Sequence, residues 1–185
     1  MPAPANATTA HMLDGLAVYD PDGRSIRLRH IRARRTTVFV FVRHFGCLFC
    51  RQQVAAFQSL RDAFARADAD VVVIGNGSVD DLRRFRAEVP ASLPVYTDPT
   101  RDAYCAMGMR RGAATVLSAS TLVRAAIAFM RGFRQTHTAG DPLQQGGVVV
   151  VAPDGTERYR YVSRTAGDHP SPDRKSTRLN SSHVS

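Results

Sequence analysis

One continuously apolar run, Thr37-Val38-Phe39-Val40-Phe41-Val42, constrains the fold more than any other part of this sequence. Its β-branched and aromatic side chains are typical of a strand that is buried on both faces of a sheet. The run leads directly into Arg43-His44-Phe45-Gly46-Cys47-Leu48-Phe49-Cys50. From Cys50 onward, apolar residues recur at helical spacing at Val54, Phe57 and Phe64. The sequence therefore predicts a central strand, a short loop and a helix, with two cysteines at the junction.

Strands and helices alternate along the rest of the chain. The predicted elements are a hairpin over 16–29, a buried strand over 70–75, a helix capped by Ser78 with Asp81 three residues on, a strand over 93–97, a short helix over 101–107, a longer amphipathic helix over 114–135 and a final hairpin over 147–162. This alternation predicts an α/β fold with a mixed central β-sheet flanked by helices on both faces.

The length and composition predict a single folded domain. A chain of 185 residues fits one core, because single domains usually hold about 100–200 residues. We expect residues 1–12 to form a flexible arm and residues 13–172 to form the domain. Arg124 and Arg131 interrupt the most apolar region, which leaves no run of the roughly 18 apolar residues that a membrane span needs. No membrane partner is expected.

The cysteine usage and the N-terminus favour a cytoplasmic protein. Residues 1–10 have neither a basic start nor an apolar segment, so they do not resemble a secretory signal. Three cysteines, two of them in one C-x-x-C, are typical of a reducing compartment, where such a pair is more often catalytic or metal-binding than structural.

The formal net charge of +9 raises the question of nucleic acid, whose phosphates attract basic patches. The positive residues are almost all arginines, spread along the predicted elements among acidic neighbours such as Asp62, Asp80, Asp81 and Glu88. Such scatter is typical of solvated faces, and nucleic acid is not an expected partner.

The C-terminal residues 173–185 differ from the rest of the chain. They contain Lys175, the only lysine in the sequence, within a string that resembles the translation of a common sequencing adapter. We expect this tail to be non-native and to contribute nothing to folding. The basic excess persists without it, since it holds three of the 25 lysines and arginines.

The two cysteines at the predicted strand-to-helix junction are suited to thiol chemistry. The N-terminus of a helix favours an anion and lowers a thiol pKa from about 8.5 to roughly 3.5–7.5. Cys47 is placed there, and Arg43, His44 and Arg51 add positive charge nearby. Cys50 belongs to the apolar stripe and is expected to be buried. We therefore predict that Cys47, the more exposed thiol, attacks, and that Cys50 resolves the mixed disulfide.

Other interpretations of these motifs remain open. A zinc site would need Cys105 and His44 as additional ligands, because there is no second C-x-x-C. An inert pair of buried thiols is a further alternative. Cys105 is expected to be a small core residue. The segment Ile74-Gly75-Asn76-Gly77-Ser78 has half of a dinucleotide-binding pattern, but a turn and a helix cap suffice to explain it. We expect no bound cofactor and no metal.

Four stretches of this chain resemble the peroxiredoxin-like proteins of the AhpC/TSA group, the alkyl hydroperoxide reductases and thiol-specific antioxidants. They are Phe41-Val42-Arg43-His44-Phe45-Gly46-Cys47-Leu48-Phe49-Cys50-Arg51, Tyr96-Thr97-Asp98-Pro99, Met107-Gly108-Met109-Arg110-Arg111-Gly112 and Gln144-Gln145-Gly146-Gly147. The resemblance covers residues 14–170 and implies a thioredoxin-like fold with antioxidant or thiol-disulfide exchange activity. It also implies a final helix beyond Gly167-Asp168-His169-Pro170-Ser171, which the tail replaces.

The sequence departs from that family in two places. Peroxiredoxins have a threonine three residues before the peroxidatic cysteine and a proline seven before it, where this chain has His44 and Val40 relative to Cys47. The alternative alignment, with Cys50 as the peroxidatic residue, places Cys47 and Arg43 at those positions. Thioredoxins have a cis-proline beside the dithiol, where this chain has Gly146, whose small size lets a substrate backbone approach closely.

The sequence thus predicts an oxidoreductase that uses Cys47 and Cys50 to reduce a peroxide or a protein disulfide. The resemblance implies a thiol electron donor of the thioredoxin or glutathione type, and the oligomeric state is left open. The alternative is a non-catalytic thioredoxin-fold module that acts as a redox sensor or binds a partner.

Overall fold

A computed structural model describes residues 12–89, 92–112 and 140–163. Within these residues, seven strands form one sheet in the order β2-β1-β5-β4-β3-β6-β7. The strands are β1 (Ala17–Tyr19), β2 (Ser25–Arg27), β3 (Thr36–Phe41), β4 (Ala69–Gly75), β5 (Val95–Thr97), β6 (Gly147–Val151) and β7 (Glu157–Val162). The helices are α1 (Leu28–Ile31), α2 (Leu48–Ser59), α3 (Arg61–Arg66), α4 (Val79–Glu88) and α5 (Asp102–Ala106).

The apolar run identified in the sequence is the strand β3, in the interior of the sheet. It pairs in parallel with β4 and antiparallel with β6. Val38 to Phe41 have no solvent exposure, because neighbours cover both edges and both faces of this strand. The prediction of a doubly buried central strand is confirmed, and so is the mixed sheet.

Helices cover both faces of the sheet. On one face, Val38, Val40 and Val42 pack into a cluster that includes Phe57 of α2 and Phe64 of α3. On the opposite face, the alternate residues of β3 and β4 pack against Leu28 of α1 and Tyr104 of α5. The period-two alternation of strand side chains thus divides the core into two layers.

Most of the predicted elements lie where the sequence placed them. The Ser78 cap is confirmed: its hydroxyl accepts a hydrogen bond from Asp81 N, and the Asp81 carboxylate accepts one from Ser78 N. In the N-terminal hairpin, β2 ends at Arg27, and Leu28 and Arg29 begin α1 instead of continuing the strand. Leu28 is buried in the core, its backbone N–H bonds to Leu16 O at 3.0 Å, and its carbonyl accepts from Arg32 N at 3.2 Å, which closes a helical turn in place of a further strand pair.

Several expectations fall outside the described residues. These are the predicted helix over 114–135, residues 1–11 of the predicted arm over 1–12, and everything after 163, which includes the adapter-like tail. No helix within the described ranges is both long and apolar enough to cross a membrane.

Candidate active site

The two cysteines lie at the carboxyl end of β3, where the chain turns into α2. Cys47 is the residue that caps α2. Its N–H donates to His44 O at 3.2 Å, and its carbonyl accepts from Cys50 N at 3.1 Å and from Arg51 N at 3.2 Å. The loop therefore closes onto the first helical turn, and the backbone N–H groups of Phe49 and Cys50 in that turn act on the Cys47 side chain. The predicted strand, loop and helix around the dithiol are present.

Both thiols are largely removed from solvent. Cys50 is fully buried, as predicted, and Cys47 is the more exposed of the two thiols, but at only 5% exposed it is itself buried and not open to solvent. Phe45 and Phe49, which are 2% and 6% exposed, belong to the same buried cluster as the two cysteines. These aromatic side chains turn the loop into part of the core and leave only a small part of Cys47 at the surface.

Cys47 carries the more acidic of the two thiols. Its pKa falls from 9.0 to about 7, chiefly because the Cys50 side chain hydrogen-bonds to the thiolate. Burial opposes the shift, whereas the backbone N–H groups of Cys50 and Phe49 and the positive charge of Arg43 add to it. Ionised Cys47 is therefore present near neutral pH in spite of its low exposure.

Cys50 has the opposite character. Burial raises its pKa well above the ordinary value, and the hydrogen bond and charge of Cys47 raise it further. The backbone N–H groups of His44 and Arg43 offset part of this rise, and Arg43 N lies 3.2 Å from Cys50 Sγ. A protonated, buried Cys50 can donate its S–H to Cys47, which is the arrangement expected of a resolving thiol.

Arg43 is a buried cation whose charge acts on the dithiol. The residue is 4% exposed, and its guanidinium donates to two backbone carbonyls, Gln144 O at 3.2 Å and Pro142 O. Its own carbonyl accepts a hydrogen bond from the Asn76 side chain. Neutral acceptors satisfy the guanidinium without cancelling its charge, so it continues to favour the Cys47 thiolate.

The other predicted supporting residues have different surroundings. His44 is 4% exposed. Its backbone carbonyl accepts a hydrogen bond from Cys47 N, and its backbone N–H donates to the Cys50 thiol. The Arg51 guanidinium forms an ion pair with Glu88 of α4. The charge of Arg43 is a cause of the lowered pKa of Cys47. Arg43 therefore acts on the dithiol through its charge, and His44 acts on it through its backbone. Arg51 instead links α2 to α4.

Gly146 lies beside the strand that leads into the dithiol. A Cβ atom at this position would lie 2.6 Å from Phe41 O and 3.4 Å from Arg43 Cγ. Glycine is therefore required by the close approach of the protein's own backbone. Approach of a substrate backbone to Gly146 stays a prediction.

Two buried polar residues near the dithiol were not singled out from the sequence. The Tyr104 hydroxyl reaches Val42 O at 2.7 Å and Ile74 O at 3.0 Å, and thus joins the ends of β3 and β4 beneath the site. Asn76 lies in the segment that the sequence identified only as a turn before a helix cap. A buried asparagine directly after an apolar strand is the signal that could have identified it.

Cys105 is exposed on α5, so its predicted place in the core is wrong. The buried residues of this helix are Ala103 and Tyr104, followed by Met107. A helix of five residues buries one side only, and Cys105 falls on the other. Across the described ranges, no three His, Cys, Asp or Glu side chains are grouped closely enough to hold a metal ion.

The family model for AhpC/TSA antioxidant enzymes matches residues 56–165, more than half of the chain. The chain belongs to this family. The match begins after Cys50, so it covers β4 to β7 and leaves β1 to β3 and the two cysteines outside. Relatives extend the similarity: the thioredoxin-like protein AAED1, chloroplastic, of Arabidopsis thaliana is 30% identical over 172 residues, which covers 88% of this chain and 69% of that protein.

Peroxiredoxin-like 2C of Mus musculus is 30% identical over 190 residues, covering 91% of this chain and 82% of that protein. Among solved structures, peroxidoxin BcpB from Mycobacterium tuberculosis superposes with a TM-score of 0.66 at 16% identity, covering 90% of this chain and 92% of that one. The protein has a thioredoxin-like fold, as predicted, and is an AhpC/TSA-type oxidoreductase that acts on peroxides or thiols. Since one relative is named as chloroplastic, a cytoplasmic location stays a prediction.

Proposed function

We propose that this protein is a dithiol oxidoreductase in which Cys47 attacks the substrate and Cys50 resolves the product. The observation that carries this proposal is the pairing of the two thiols at the start of α2, one with a pKa of about 7 and the other raised by burial. The same asymmetry argues against the alternative alignment, in which the fully buried Cys50 would attack first.

The reaction begins with the Cys47 thiolate. With a disulfide substrate, Cys47 Sγ forms a bond to one sulfur, the substrate disulfide breaks, and the other sulfur leaves as a thiolate. Cys50 Sγ then gives up its proton to the departing group and attacks Cys47 Sγ, which releases the second substrate thiol. The substrate has gained two electrons, and Cys47 and Cys50 have been oxidised to an intramolecular disulfide.

A peroxide follows an equivalent course. Cys47 Sγ attacks one oxygen, the O–O bond breaks, and the departing oxygen takes up a proton to give an alcohol or water. Cys50 Sγ then attacks Cys47 Sγ of the sulfenic acid, the S–O bond breaks, and the hydroxyl leaves as water with the proton of Cys50, which gives the same disulfide. A thiol donor of the thioredoxin or glutathione type returns two electrons and restores both thiols.

We expect disulfide exchange to be competent and peroxide reduction to be slow. The residue three positions before Cys47 is His44, which offers no short hydroxyl to orient a peroxide, and positioning is where such a site gains much of its rate. Stopped-flow oxidation by hydrogen peroxide should run within about 100-fold of a small free thiol compared at equal thiolate fraction. Rates thousands of times higher would show that the site orients peroxide by other means.

Mass spectrometry of free thiols tests the dithiol directly. Reduced protein treated with stoichiometric oxidised glutathione, or with peroxide, should lose the Cys47 and Cys50 thiols together and retain Cys105. A protein in which Cys47 and Cys50 stay reduced would contradict the proposal. Formation of the disulfide without turnover of any substrate would instead support the alternative of a redox sensor.

A further inference from the structure

Asn76 directly follows β4, next to the dithiol loop, and it is 2% exposed. Both the nitrogen and the oxygen of its side-chain amide form hydrogen bonds. Nδ2–H donates to Arg43 O, and Oδ1 accepts from Asp141 N at 2.5 Å. One buried amide thus links the loop that follows β3 to a segment that is distant in sequence, residues 140–144.

The same segment also holds the side chain of Arg43. The Arg43 guanidinium donates to Gln144 O at 3.2 Å and to Pro142 O. Arg43 is therefore fixed at its backbone by Asn76 and at its guanidinium by the carbonyls of residues 142 and 144. Because Asn76 also binds the N–H of Asp141, these contacts close a ring of hydrogen bonds around Arg43.

The surroundings make this ring rigid. The Asp141 carboxylate forms ion pairs with Arg101 and with Arg111 Nε, the latter at 2.6 Å, and it accepts a hydrogen bond from Leu143 N at 2.9 Å. Gly140 has a φ of +94°, and a Cβ atom there would lie 2.0 Å from Asn76 O. The glycine is required for residues 140–144 to approach Asn76.

We propose that Asn76 is a positioning residue for the dithiol, an inference that rests on the proposed redox role of Cys47 and Cys50. By holding Arg43 in place, Asn76 keeps the Arg43 N–H on Cys50 Sγ, 3.2 Å away, and keeps the Arg43 charge acting on Cys47. Asn76 contacts neither sulfur in the described structure and acts through Arg43.

The decisive measurement is the pH profile of Cys47 alkylation in Asn76→Ala and Asn76→Leu. Both variants remove the two hydrogen bonds of the amide, the leucine keeps about the same side-chain size, and neither adds a charge beside the dithiol. Loss of the fixed cation disfavours the thiolate, so the inflection moves to higher pH. At pH 7 we expect alkylation about threefold slower than in the parent protein.

A matched control separates positioning from general loss of stability. Ser78→Ala removes the cap of α4, two residues further along, and it should lower the thermal midpoint by about 2–4 °C while leaving the Cys47 profile unchanged. If the Asn76 variants lower the midpoint but keep the parent profile, Asn76 is structural only and the inference is overturned. Should Asn76→Ala not fold, Asn76→Leu provides the same comparison without a cavity and without a new charge.

A double-mutant cycle tests the route through Arg43. Arg43→Met should itself shift the Cys47 profile upward, and adding Asn76→Ala to Arg43→Met should shift it no further. Additive shifts would mean that Asn76 acts on Cys47 independently of Arg43 and would overturn the inference. Failure of the underlying function is recognised separately, because the parent protein would then form no Cys47–Cys50 disulfide.

Discussion

Cys47 lies at the start of α2 and Cys105 lies within the short helix α5, and the surroundings of the two thiols differ sharply. Cys47 is 5% exposed and sits among a thiol donor, backbone N–H groups and the charge of Arg43. Cys105 is exposed on α5, where it borders an open cavity with Arg101 and Arg110. The site predicted to do the chemistry is therefore distinguished by the groups that stabilise a thiolate, and access to solvent does not identify it.

Replacing the cysteines one at a time should give the largest difference between the two sites. Cys47→Ser should reduce disulfide turnover at least about 100-fold, because the nucleophile is lost. Cys50→Ser should leave the first attack intact and trap mixed disulfides on Cys47, visible by non-reducing mass spectrometry. Cys105→Ser is the matched control and should retain turnover. Mixed disulfides trapped on Cys50 in Cys47→Ser would reverse the assigned roles.

Alkylation kinetics should give the next largest contrast. With a pKa of about 7 for Cys47 and a pKa raised well above the ordinary value for Cys50, iodoacetamide at pH 7 should modify Cys47 at least about tenfold faster than Cys50. Peptide mapping at short times measures each site. We also expect Cys47 to be modified before Cys105. Modification of Cys105 first would show that access governs the rate more than ionisation does.

The elements that followed from the sequence are those with strong local patterns. The apolar runs of β3, β4 and β6 and the cap at Ser78 are local in sequence, and each has a physical meaning on its own. The helical spacing that buries Cys50 also belongs to this class. These local patterns are enough to place the dithiol at the end of a central strand.

The details that did not follow depend on distant parts of the chain. Asn76 reaches Arg43 across 33 residues, and Arg43 reaches Gln144 across 101, and neither contact leaves a periodic signal. The low exposure of Cys47 comes from the packing of Phe45 and Phe49. Cys105 faces outward because Ala103 and Tyr104 take the buried side of α5, and this helix is too short for its sequence to show an apolar stripe. Tertiary packing decides such positions.

The stability of the reduced protein should depend on pH through Cys47. Its pKa is lowered on folding from 9.0 to about 7, so the folded state releases a proton that the unfolded state still holds between those values. The contribution is therefore present at high pH and is lost as pH falls through about 7. Between pH 6 and pH 8 the free energy of unfolding of the reduced protein should rise by about 1 kcal/mol more than that of Cys47→Ser. Urea denaturation under reducing conditions measures the free energy of unfolding of both proteins at each pH. The same pH dependence in the two proteins would contradict the lowered pKa of Cys47.

The smallest effect is expected at Cys105, where the change from thiol to hydroxyl takes place at the surface. Because the side chain is exposed, Cys105→Ser should change the free energy of unfolding by no more than about 0.5 kcal/mol, and the urea midpoint of the reduced protein should hardly move. Cys50→Ser is the informative partner, since it puts a hydroxyl at a fully buried position and should cost more. Equal losses for the two variants would mean that Cys105 is covered in solution, and the contrast between a buried, activated thiol and an exposed one would then fail.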